Sequence, residues 1–103
     1  MSGLEQATNA SPVGGVGTTP IVLVAPSTNR RILIIQNVSS VYIGISLTDA
    51  TPSVDVNGIG GIGTLVLPPG GGFDFDSYRG IPGNTFMVVA ASGSANPITV
   101  IQW

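Results

Sequence analysis

Val41-Tyr42-Ile43-Gly44-Ile45-Ser46-Leu47 decides the fold class. Val41, Ile43, Ile45 and Leu47 fall on one face of an extended chain, and Tyr42, Gly44 and Ser46 on the other. Side chains of a strand alternate between faces, so this period of two is that of a half-buried strand. Working backward, Arg31-Ile32-Leu33-Ile34-Ile35-Gln36 is a second strand, and Asn37-Val38-Ser39-Ser40 is a loop of hairpin length. Before it, the β-branched run Ile21–Val24 ends at Ala25-Pro26-Ser27-Thr28-Asn29.

Working forward, residues 48–63 form a long connection in which Val54–Val56 suits a short edge strand and Asn57-Gly58 a turn. Thr64–Leu67 is a strand ended by Pro68-Pro69-Gly70-Gly71-Gly72. In Phe73-Asp74-Phe75-Asp76 both rings share one face and both carboxylates the other. Thr85–Ala91 is apolar on both faces and is expected to be central in its sheet. Ile98–Trp103 is the last strand. No apolar residues recur at helical spacing without an intervening Gly or Pro. The expected fold is all-β: a compact β-sandwich or jelly roll of seven or eight short antiparallel strands. Residues 20–103 form its single domain. Residues 1–19, small and polar with Val-Gly-Gly-Val-Gly at 13–17, are expected as an extended arm, flexible or ordered by a partner.

Composition narrows the function. Charged residues are 8% of the 103, against about 25% in an ordinary soluble domain. The formal charge is −2 and the hydrophobic fraction 43%. Depletion of charge marks the core of protein interfaces, so assembly with other subunits is expected. No basic patch serves nucleic acid. No run approaches a membrane span, and the N-terminus lacks the features of a signal peptide. Synthesis in the cytoplasm is the expectation.

Catalysis is poorly provided for. Lysine, histidine and cysteine are absent, so no nucleophile–base pair can be assembled from them. Asp74 and Asp76 would stand about 7 Å apart along a strand, a spacing open to a glycosidase-like pair. A solvated strand face explains them more simply. Asp49, Asp55, Asp74 and Asp76 offer oxygen ligands but match no calcium-loop spacing. Gly58–Gly63 is followed by a strand, not by the helix a phosphate fingerprint requires. No cofactor and no metal is expected.

The order of features Asn29-Arg30-Arg31-Ile32-Leu33-Ile34-Ile35-Gln36-Asn37, Val41-Tyr42-Ile43-Gly44, Leu67-Pro68-Pro69-Gly70-Gly71-Gly72-Phe73, Gly83–Ala91 and Val100-Ile101-Gln102-Trp103 resembles the small β-sandwich virion proteins of tailed bacteriophages. Among these are the capsid decoration, or cement, proteins. The resemblance spans residues 29–103. An acidic residue often precedes the final Trp in that group; here the position is Gln102. The resemblance implies a homotrimer on the capsid surface that bridges neighbouring copies of the major capsid protein. An arm of nineteen residues could reach up to roughly 60 Å.

The candidate interface residues are Leu4, Val13 and Val16 of the arm, the three arginines Arg30, Arg31 and Arg79, and the aromatics Tyr42, Tyr78 and Trp103. Trp103 suits either the core or an anchor in a neighbour. The alternative is a receptor- or carbohydrate-binding sandwich of a phage tail or surface structure, with Tyr42, Tyr78 and Trp103 as stacking rings.

Overall fold

The computed structural model describes residues 6–26, 30–76, 78 and 80–103. Their eight strands are β1 (Thr8–Asn9), β2 (Ile21–Val24), β3 (Ile32–Asn37), β4 (Ile43–Ser46), β5 (Leu65–Leu67), β6 (Gly72–Asp76), β7 (Phe86–Ala90) and β8 (Ile98–Gln102). Among the described residues there is no helix. Two four-stranded sheets have the orders β1-β8-β3-β6 and β2-β7-β4-β5. Every pairing is antiparallel, and β1–β8, β2–β7, β3–β6 and β4–β5 nest inside one another. Rolling such a nested hairpin into two sheets gives a jelly roll.

The core follows from the alternation. Leu33 and Ile35 of β3, Ile43 and Ile45 of β4, Phe86 and Val88 of β7 and Val100 of β8 are fully buried between the sheets. Burying each is worth roughly 1.5–3 kcal/mol before ordering costs are counted. Phe73 and Phe75 pack against this core from β6, and Phe75 meets Phe86 edge to face at 6.0 Å. As expected, β7 is an inner strand.

Three local expectations are corrected. The loop after β3 does not make a hairpin, because β3 and β4 belong to different sheets. Its pivot is Asn37, a fully buried residue. The Asn37 amide nitrogen donates to the carbonyls of Val41 at 2.8 Å and Leu67 at 2.9 Å. Its Oδ1 accepts from the Ser39 N–H and hydroxyl. Four bonds fill the capacity of the side chain and steer the chain across the sandwich.

Second, Val54–Val56 forms no strand; Val54 makes only an isolated bridge to Gly60. Instead the 47–64 connection folds onto the outside of β4. A Cβ on Gly44 would lie 2.8 Å from the Thr64 methyl and 3.2 Å from Val54 Cβ, so only glycine admits this cover.

Third, the segment expected as an arm lies on the sandwich from Thr8 onward. Thr8 and Asn9 pair with Gln102 and Ile101, and the Ala10 N–H donates to the Val100 carbonyl. Val16 bridges Asn96, and the Gly17 carbonyl accepts from Ala90 N–H in the other sheet. These small, polar residues are ordered by backbone partners on β8 and β7 that the chain itself supplies.

Candidate interface

Residues directly opposed in an antiparallel pair share a face. Leu33, Ile35 and Asn37 of β3 and Ile98 and Val100 of β8 point inward, so their alternates point out. The outer face of the β1-β8-β3-β6 sheet can therefore be read row by row. One row is Asn9, Ile101, Ile34, Asp74. The next is Trp103, Ile32, Asp76, and the one on the other side is Thr99, Gln36, Gly72.

Ile32, Ile34, Ile101 and Trp103 thus form one apolar block on the outside of a sheet. All four are half-exposed. Antiparallel sheets with a solvated face normally read apolar inside and polar outside. Here the block is apolar at its centre and polar at its rim, with Asn9 on one side and Asp74 and Asp76 on the other. An apolar patch with a polar rim is the usual anatomy of a protein contact. A shallow depression of about 210 Å³ beside Ile34, Gln36, Gly72 and Asp74 roughens the same face.

A second apolar group sits on the 54–65 segment. Val56, Ile59, Ile62 and Leu65 are exposed, Ile62 completely so. The loop is shaped by Asp55, whose Oδ1 accepts from the N–H groups of Asn57 at 2.9 Å and Ile59 at 3.0 Å. The ring of Tyr42 lies under its Gly58.

The nine residues singled out from the sequence scatter. Leu4 and Arg79 lie outside the described residues. Val16 is corrected from interface to core: it is 0% exposed, enclosed where the first segment crosses between the sheets. Tyr42 is half-buried beneath the 54–60 loop, and Val13 and Tyr78 are exposed singly. Arg31 is exposed beside β8, its N–H donating to the Trp103 carbonyl at 2.7 Å. Of the seven that are described, Trp103 alone stands in the apolar block.

Arg30 is an internal strut. Its guanidinium donates to the carbonyls of Ala25 at 2.6 Å and Pro82 at 3.2 Å and lies 5.9 Å over the Phe86 ring. Burial lowers its pKa from the ordinary arginine value. It borders an open depression of about 380 Å³ between β2 and the β1–β8 edge, where Thr8, Ala10, Leu23 and Trp103 also lie. Its NH1 and NH2 are already committed to backbone carbonyls.

Two of the acids, Asp49 and Asp55, likewise serve structure. Asp49 takes a left-handed backbone, φ 70°, and its Oδ1 accepts from Thr85 N–H at 2.9 Å. Among the described residues no three of His, Cys, Asp and Glu gather as a metal site. No described helix is long and apolar enough to cross a membrane.

The block Ile32–Ile34–Ile101 was missed from sequence. Its signal was present: Ile32–Ile35 is apolar on both faces, which a strand needs only when both faces are covered. Comparison with protein-family profiles, with curated proteins and with solved structures gave no match.

Proposed function

We propose that this chain is a non-enzymatic virion structural protein, a decoration or cement protein that bridges and stabilises neighbouring capsid subunits at the capsid surface. The observation that carries this reading is the apolar block of Ile32, Ile34, Ile101 and Trp103 on the outside of a jelly roll with almost no charge. Jelly rolls are a recurrent architecture of viral capsid proteins, though lectins use them too. A bridging protein needs one surface for its own kind and one for the shell. The block on sheet β1-β8-β3-β6 and the Ile59–Ile62 loop supply two separate apolar surfaces. The resemblance of residues 29–103 to phage virion proteins supplies the setting and implies trimers.

The test is cryo-electron microscopy of virions that encode the chain, with a mutant lacking it. The expected result is regular density on the shell, absent from the mutant, whose capsids break at lower temperature. Absence of the protein from purified virions, or specific binding on a glycan array, would turn the reading toward the receptor-binding alternative.

A further inference from the structure

We infer that the outer face of the β1-β8-β3-β6 sheet is a self-association surface, on which a second copy of this chain packs about a two-fold axis running along the strands. The inference rests on the reading that the protein works by packing against other subunits, and it names one partner and one geometry, a two-fold pair where the resemblance implies a trimer.

The central row of the face is complementary to its own reverse. From edge to edge it runs Asn9, Ile101, Ile34, Asp74. A two-fold axis along the strands reverses this order in the facing copy. Ile101 then lies over Ile34 of the second copy, and Asn9 over its Asp74. Stacked sheets sit about 10 Å apart with strands nearly aligned, which suits interdigitated isoleucines and a Trp.

The polar ends match chemically. Asn9 Oδ1 already accepts the Ser11 N–H at 3.0 Å, so the rest of its amide is a donor. A carboxylate accepts several hydrogen bonds, so Asp74 can take one from Asn9 of the other copy.

Charge also selects this axis over the competing one. A two-fold axis across the strands would lay β6 on β6. Asp74 would then face Asp74 of the other copy on a desolvated surface, and like charges so placed are strongly unfavourable. The axis along the strands moves both acids of β6 over the uncharged β1 edge. The opposite sheet is a poorer candidate, since the 47–64 connection already covers β4 there.

The full chain is tested by sedimentation equilibrium over a wide concentration range, with circular dichroism to confirm folding. The wild type is expected to reach twice the 10.4 kDa chain mass. Asn9→Asp places a carboxylate over Asp74 and is expected to raise the dissociation constant about tenfold or more. Asn9→Asp combined with Asp74→Asn exchanges the two partners and is expected to restore pairing. Ile34→Thr, on the outer face, weakens pairing with the fold retained. A monomer throughout, a trimer mass, or a double variant as weak as Asn9→Asp would overturn the inference. A monomer that still decorates shells would leave the functional reading standing. A pair that never binds shells would leave the pairing standing and remove the functional reading.

Discussion

Trp103 and Ile32 form a reciprocal backbone pair: each N–H donates to the carbonyl of the other, at 3.1 and 2.9 Å. This pair sets Trp103 opposite Ile32 at the end of the β1-β8-β3-β6 sheet, one row from Ile34 and Ile101 and beside the depression between β2 and the β1–β8 edge. A residue that could equally have closed the core therefore becomes part of a half-buried apolar block on the sheet. The account of function depends on that placement, and the account of stability on what lies inside.

Asn37 is the polar pivot between the two sheets. Asn37→Ala removes the donor to the buried Leu67 carbonyl, at about 1–3 kcal/mol, while the Val41 carbonyl keeps the Ser39 hydroxyl at 3.2 Å. Urea denaturation is expected to show a loss of about 1–3 kcal/mol. Asn37→Asp is expected to be worse at neutral pH, because a carboxylate offers those carbonyls no proton. A loss below about 0.5 kcal/mol, the range of ordinary surface changes, would refute the pivot.

Val16 tests whether the first segment belongs to the sandwich. Val16→Ala removes two fully buried methyl groups and is expected to cost about 1–3 kcal/mol. Val13→Ala, three residues earlier and fully exposed, is expected to change stability by less than about 0.5 kcal/mol. Thermal unfolding of the two variants side by side checks this. Equal effects would mean that the segment does not pack as described.

Much of this was legible in the sequence because period-two patterning survives burial. The alternation in 41–47 and in Phe73–Asp76 gave the inward faces, and the Pro-Gly tracts gave the turns. Three features were not legible, each for a physical reason. β1 is two polar residues whose strand character comes only from β8. The β3–β4 loop has hairpin length, but the Asn37 side chain, from the end of β3, bonds the loop and Leu67 of the opposite sheet and diverts it. Val16 resembles any valine in a glycine-rich tail until Asn96 pairs with it. The apolar block was half legible: Ile32–Ile35 announces two covered faces, but sequence alone does not separate cover by the same chain from cover by another.

Arg30 tests the strut across the end of the sandwich. Arg30→Lys keeps the charge but loses the planar fork that reaches Ala25 and Pro82 together. The side chain is partly exposed, so the expected loss is modest, about 1–2 kcal/mol by denaturant titration. An unchanged midpoint would show that the two carbonyl contacts contribute nothing.

The chain contains a single tryptophan, and it stands in the proposed contact. Its fluorescence therefore reports directly on whether that face is covered. Emission and acrylamide quenching of Trp103 are to be measured on the dilute chain and on the same chain assembled, by concentration or on capsids. The account predicts a blue shift and marked protection from quenching on assembly, both weakened in Ile34→Thr. Assembly proven by mass, with Trp103 emission and quenching unchanged, would contradict it.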